Sequence, residues 1–173
     1  EISGYQAMNA LLPARPDAAD PTVSGLVFAI RLKIMDLPPE GDRARIAAFW
    51  SDTEVSDTFW SMDLWNSREG DGKAEIEVSI QDGSVWESHY FEMPYEQGFD
   101  MGEWTTIRCE VQRSAPEGSI ILRVRDRFGR DVVDSAQSTG IVSGMDSTDF
   151  DSLVLVNTVN NGSLSWEAQP LEA

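Results

Sequence analysis

The sequence predicts an all-β fold, a two-sheet antiparallel sandwich, and three observations carry that prediction. Apolar residues recur at every second position along most of the chain, and no helical period persists for a useful length. Turn signals ("LPPEGD", "REGDG", "QDG", "APEG" and "NNG") interrupt the alternation repeatedly. The 173 residues suffice for a substantial core, and residues 1–173 show no internal repeat, low-complexity stretch or second domain. About ten to twelve strands joined by short connections are expected in one domain.

The strands follow in order. In "GLVFAIRLKIM", Leu26, Phe28, Ile30, Leu32 and Ile34 line one face, with Arg31 and Lys33 on the other. "RARIAAFW" groups Ile46, Ala48 and Trp50. "KAEIEVSIQDG" turns Ala74, Ile76, Val78 and Ile80 inward and Glu75, Glu77, Ser79 and Gln81 to solvent. "WTTIRCEV" buries Thr105, Ile107, Cys109 and Val111, leaving Thr106, Arg108 and Glu110 exposed. "SIILRVRDRFGRDVV" is a strand pair with a turn over Arg127 to Arg130, where Gly129 supplies a permissive backbone. "DSLVLVNT" is apolar on both faces, as in a central strand, and "GSLSWEA" closes the chain with Leu164 and Trp166 inward. "DPTVSG" and "GIVSGMDSTDFD" read as longer connectors, the second with room for a helical turn.

Residues 47 to 67, "AAFWSDTEVSDTFWSMDLWNS", raise the functional question, because they hold three of the six tryptophans. In "TFWSMDLWN" the even positions Trp60, Met62 and Leu64 form a purely apolar face that belongs inside. Trp50, grouped with Ile46 and Ala48, is placed inside with them. Phe59, Asp63 and Trp65 then share an outward face. Aromatic rings beside a carboxylate suit a sugar, which offers C–H groups for stacking and hydroxyls for hydrogen bonding. A loop, or the N-terminal "YQAMNALL", could equally cover these rings. In "SVWESHYFEMPYEQ", Trp86, Ser88, Tyr90 and Glu92 share one face and Val85, Glu87, His89, Phe91 and Met93 the other, and polar residues on both leave the inward side open. Facing outward, Trp86 and Tyr90 would extend the strip, and Arg108 could offer a donor fork to hydroxyls or a uronate, or pair with an acid instead.

Charge narrows the function classes. Thirty acids against thirteen bases give a net charge of −17, a field that repels nucleic acid and anionic membranes and that reads either as suited to high salt or as an ordinary acidic surface. No apolar run approaches the roughly 18 residues of a membrane span, so no membrane insertion is expected. The lone Cys109 rules out an intramolecular disulfide. A chain that begins at Glu1 and shows no signal-peptide pattern is expected to be a mature secreted protein or a domain of a longer one.

"GEWTTIRCEV" followed by "EGSIILRVRDRFGRDVV" resembles concanavalin A-like and laminin G-like jelly-roll domains, in which a Gly-x-Trp opens a strand, here Gly102 and Trp104. "GLVFAIRLKI" and "DSLVLVNTVNNGSLSWEA" are similar to the early and closing strands of that family, so the resemblance spans residues 25 to 168. It implies a curved jelly roll whose concave face often holds glycans, sometimes with a structural calcium.

That architecture also hosts glycoside hydrolases and polysaccharide lyases. The hydrolase signature Glu-x-Asp-x-x-Glu is absent, and Glu75 and Glu77 read as a solvated strand face. "HYFEMPYEQ" has some likeness to an alginate-lyase strand, with Tyr90, Phe91, Tyr95 and Gln97 at similar places. The other strand motifs of those lyases are missing. Were this a lyase, His89 and Tyr90 would be its base and acid. No nucleophile elbow, phosphate loop, zinc spacing or dinucleotide fingerprint occurs. Asp146, Asp149 and Asp151 in "DSTDFD" are calcium candidates, as are Asn66, Glu69 and Asp71 in "NSREGDG", with solvated loops as the alternative.

The sequence therefore points to a noncatalytic, extracellular or surface-displayed carbohydrate-binding module without a required cofactor. Phe59, Asp63 and Trp65 form the leading contact set, and Trp86, Tyr90 and Arg108 the secondary one. Its competitors are a structural or adhesion domain of a virion, appendage or surface assembly, self-associating or bound to a protein partner, and a polysaccharide lyase or hydrolase.

Overall fold

The computed structural model describes residues 8–11, 25–50, 59–82, 85–93, 102–112, 118–140, 152–158 and 165–169. These residues form eleven strands: β1 (Met8–Leu11), β2 (Gly25–Asp36), β3 (Arg43–Trp50), β4 (Phe59–Asn66), β5 (Ala74–Asp82), β6 (Val85–Met93), β7 (Trp104–Gln112), β8 (Gly118–Arg125), β9 (Asp131–Thr139), β10 (Ser152–Thr158) and β11 (Ser165–Gln169). All pairings between them are antiparallel, in a six-stranded sheet ordered β1-β10-β3-β4-β5-β6 and a five-stranded sheet ordered β11-β2-β7-β8-β9. The described residues form an all-β two-sheet antiparallel sandwich, as the alternation predicted, with the jelly-roll architecture that the resemblance implied. Residues 8–11 of the N-terminal segment form an edge strand on β10, which the sequence pattern did not single out.

The core lies between the sheets and is built by strand parity. Phe28, Ile30, Leu32 and Ile34 of β2, with Ile107, Cys109 and Val111 of β7 and Ile120, Leu122 and Val124 of β8, meet Trp60, Met62 and Leu64 of β4 and Ile76, Val78 and Ile80 of β5. Trp60 is fully buried and its ring lies 5.4 Å from that of Phe28 in the facing sheet. Each such side chain contributes about 1.5–3 kcal/mol by leaving water, so the sheets are held chiefly by this layer. At one side the edge strands β6 and β9 are tied by polar contacts: Thr139 Oγ1 donates to Glu87 at 2.7 Å, and Gln137 Nε2 to the Tyr90 carbonyl at 2.8 Å.

The expected grouping along β3 is corrected by a bulge. A register shift between Arg45 and Ala47 leaves Ile46 unpaired, Ala47 opposite the core residue Met62, and Ala48 opposite Ser61. Ile46 and Ala47 both join the core, whereas Ala48, though fully buried, does not. Position 50 pairs with Phe59. The side chains of Trp50, Leu26 and Trp166 lie outside the described residues, as does Leu164.

The β8–β9 turn forms where predicted. Asp126 Oδ1 accepts from the backbone N–H groups of Phe128 and Arg130 at 2.8 and 2.9 Å, and Gly129 takes a φ of 80°.

Candidate functional site

The outward face of the six-stranded sheet carries the site. Because β4, β5 and β6 pair without a register shift, their outward side chains fall into rows that cross the strands. One row is Phe59, Gln81 and Trp86; the next is Ser61, Ser79 and Ser88, continued on β3 by Ala48; the third is Asp63, Glu77 and Tyr90, continued by Arg45; the last is Trp65, Glu75 and Glu92, continued by Arg43. A row of small residues thus separates an aromatic row from a charged one.

This register settles the orientation that the β6 sequence left open. Trp86, Ser88, Tyr90 and Glu92 share the outward face with Phe59, Asp63 and Trp65. Phe91 and Met93 enter the core. Trp86 is 51% exposed and stacks on Phe59, with ring centroids 5.3 Å apart and planes at 21°. Its indole N–H donates to Ser88 Oγ at 3.1 Å, which fixes the ring edge.

Below the rings lies a network of charge-assisted bonds. Glu77 was expected in solvent but is 3% exposed, because its neighbours close over it. It accepts from Trp65 Nε1 at 2.6 Å, Arg43 Nη1 at 2.8 Å, Ser79 Oγ at 3.0 Å and the Tyr90 hydroxyl at 3.3 Å. Burial pushes its carboxyl up, but the donors, Trp65, Ser79 and Arg43 among them, outweigh burial and hold it below the usual carboxylate range. Tyr90 shifts the other way: burial and the charge of Glu77 raise its phenol. Asp63 is fully buried, with one oxygen 2.8 Å from Arg45 Nε and the other 3.1 Å from Nη2.

The arginines also cover the rings. Arg45 lies over Phe59 at 5.3 Å, Arg43 over Trp65 at 5.2 Å and Arg68 over Tyr90 at 3.9 Å. Arg68 reaches this position from the β4–β5 turn. There Ser67 takes a φ of 53° and accepts from the Gly72 N–H, and Arg68 Nε donates to Glu75 at 2.8 Å.

Among the sequence candidates, Phe59, Asp63, Trp65, Trp86 and Tyr90 come together on this face. Asp63 has a different part from the one expected: both its oxygens are occupied by Arg45, so it orients that guanidinium instead of meeting a ligand. Arg108 does not join them. It sits on the outward face of the opposite sheet, bonded to Glu110 of its own strand at 2.9 Å. Glu110, expected in solvent, is 8% exposed beneath Arg108 and Arg123. His89 and Tyr90 point to opposite faces of β6. His89 lies between the sheet edges with Glu87 at 3.2 Å and Gln137 at 3.3 Å, so the pair cannot serve one site as base and acid. Asp146, Asp149 and Asp151 lie outside the described residues, and among the described residues no group of three or more His, Cys, Asp or Glu side chains is placed to hold a metal ion, Glu69 and Asp71 included. Arg43, Arg45, Arg68 and Glu77 were missed. The outward Arg positions of "RARIAAFW" and the outward Glu positions of "KAEIEVSI" were the available signal for Arg43, Arg45 and Glu77, since they reach one another across β4 once the three strands pair.

No family model and no curated protein matches the sequence. Solved structures do share its fold. The CBM2 module of the evolved Dit of Lactobacillus casei BL23 phage J-1 superposes with a TM-score of 0.55 at 13% identity, over 94% of this chain and 66% of that one. The full-length tailspike protein 2 of Escherichia coli O157:H7 bacteriophage CAB120 does so with a TM-score of 0.53 at 14% identity, over 83% of this chain and 18% of that one. A tetrameric galectin from the ball sponge Cinachyrella sp. aligns over 97% of this chain and 99% of its own, at 15% identity and a TM-score of 0.47. This chain therefore spans slightly under two thirds of the phage J-1 chain and less than a fifth of the tailspike.

Proposed function

We propose that this domain binds a polysaccharide without cleaving it, through the outward face of the six-stranded sheet. One observation carries the reading: the Trp86 ring, half exposed, is backed by Phe59 and held at its edge by Ser88. A ring fixed before the ligand arrives loses little entropy on stacking against a sugar, which is what a binding surface needs. Arg43, Arg45 and Arg68, which lie over the partly exposed Trp65, Phe59 and Tyr90 rings, add guanidinium donors to the same face. Glu77, 3% exposed and accepting from Trp65, Arg43, Ser79 and Tyr90, suits a fixed anion that orders this face. The module of the phage J-1 Dit that shares the fold carries the name CBM2, which is in keeping with sugar binding.

The reading is tested by screening soluble polysaccharides and a glycan array with the wild type and Trp86→Ala, with and without calcium. Binding by the wild type that falls by about tenfold or more in Trp86→Ala, with unfolding unchanged, is expected. A wild type that binds no glycan, or a variant that binds equally well, overturns it.

A second reading rests on the edge position of β6. Trp86 there is 51% exposed on a strand at the edge of the sheet, so the same surface could pack against another copy or a virion protein. Light scattering would then show an oligomer that Trp86→Ala dissociates.

A further inference from the structure

The opposite sheet carries a second feature, independent of the aromatic face. Its outward surface holds a cavity of about 300 Å³, lined by Thr106, Arg108, Arg123, Arg125 and Asp131. The strand register builds it: Thr106 pairs with Arg125 and Arg108 with Arg123, so three guanidinium groups and a hydroxyl converge from two neighbouring strands. The volume falls at the low end of small-molecule sites, about 300–1,000 Å³.

The charge arrangement differs from the rest of the protein. The chain as a whole carries −17, yet among the described residues at this cavity three arginines, Arg108, Arg123 and Arg125, are matched by three carboxylates, Glu110, Asp131 and Asp134, so the local charge is balanced and the guanidinium groups line the opening. These acids hold the arginines from beneath or from the side. Glu110, with its side chain 10% exposed, takes Arg108 Nε and Arg123 Nη1, while Asp134 takes Arg123 Nε at 3.1 Å. Asp131 holds Arg125 through Nε and Nη2 at 2.9 and 3.2 Å. Among the described residues Arg108 bonds to protein through Nε, which leaves its terminal fork for a ligand, and its side chain is 48% exposed. Guanidinium groups braced at one end match the paired oxygens of a carboxylate or sulfate, and Thr106 adds a hydroxyl partner.

We infer that this cavity is an oxyanion site for a sugar unit bearing a carboxylate or a sulfate ester, separate from the aromatic face. The negative field of the whole chain keeps such an anion from binding broadly, so recognition is confined to the place where three arginines cancel that field locally and Arg108 presents its terminal fork. The inference does not depend on the aromatic face binding a glycan.

The test follows the arginine Nε–H signals by nuclear magnetic resonance in about 0.1 M NaCl. Methyl glucuronide, glucose 6-sulfate, inorganic sulfate and neutral methyl glucoside are titrated to about 10 mM, a range that captures dissociation constants near 1 mM. One or both charged sugars should shift the Arg108, Arg123 and Arg125 signals, and which does so identifies the carboxylate or sulfate source. Methyl glucoside should not. Arg108→Gln should weaken binding by about tenfold, the loss of one charge-assisted pair, with unfolding unchanged because Glu110 retains Arg123 and Gln112. Arg125→Gln, at an exposed pair, is the second variant, and Trp86→Ala should bind like the wild type. The site is overturned if neither charged sugar moves these signals, if methyl glucoside moves them equally, if inorganic sulfate alone does so and neither sugar, or if both arginine variants bind unchanged.

Discussion

The indole N–H of Trp65 donates to Oε2 of Glu77 at 2.6 Å, across two paired strands, on the outward face of the six-stranded sheet. The bond makes Trp65 both an aromatic surface and a structural donor. Arg43 bonds the same oxygen at 2.8 Å and lies over the same ring, so the three residues hold one another.

Trp65→Ala should therefore cost stability as well as any ligand contact. Removing a donor from a buried carboxylate costs about 2 kcal/mol, or roughly 4–8 °C in Tm for a chain of this size. Trp86→Ala, on an exposed ring whose polar contact is to Ser88, should shift Tm by less than about 2 °C. Thermal unfolding of the two variants checks the contrast.

Glu77→Gln should be destabilising at pH 7, with an advantage for the wild type that disappears in acid. The folded-state pKa of Glu77 is lowered, so its stabilising effect is present above the unfolded value, about 4.3, and is lost as pH falls through the folded one. Denaturant titrations of both proteins from about pH 7 to about pH 3 should show their midpoints converging in that window. A gap that stays constant with pH would mean that Glu77 acts through shape and not charge.

Asp63→Ala should cost about 1.5–3 kcal/mol, because it removes both charge-assisted bonds to Arg45, whose side chain stays partly exposed. Adding Arg45→Ala should recover part of that loss. A double-mutant cycle in urea measures the coupling, and additive losses would place the two side chains in independent roles.

Cys109 is 1% exposed, and burial pushes its thiol up to about 12. A thiol held in the protonated form reacts slowly, so the native protein should resist a disulfide reagent at pH 8 while the unfolded chain reacts fully. Rapid labelling under native conditions would show that the two sheets separate far more readily than their packing implies.

The strands were legible because period-two alternation is a local property of the chain. Ala74, Ile76, Val78 and Ile80 had to share a face wherever β5 lay, and the same holds for Trp60, Met62 and Leu64. The outward place of Phe59 and Trp65 followed from the same parity. Where the pattern was ambiguous, as on β6 with polar residues on both faces, it took the register against β5 to put Trp86 and Tyr90 beside Glu77 and Gln81. A bulge defeats parity altogether, which is why the grouping of Ala48 with Ile46 failed.

By itself the sequence determined the fold class, most of the inward apolar faces, the hairpin at Gly129 and the outward parity of Phe59 and Trp65, since each depends on neighbours within a few residues. Tertiary structure decided which sheets these faces belong to. It brought Arg43, Arg45 and Arg68 over the rings, enclosed Glu77 and Asp63, set His89 between the sheet edges, and carried Arg108 to the opposite sheet. The physical reason is strand order: residues 18 to 34 positions apart, such as Arg45 with Asp63 and Arg43 with Glu77, become neighbours through pairing, and alternation within a single strand holds no record of the strand beside it.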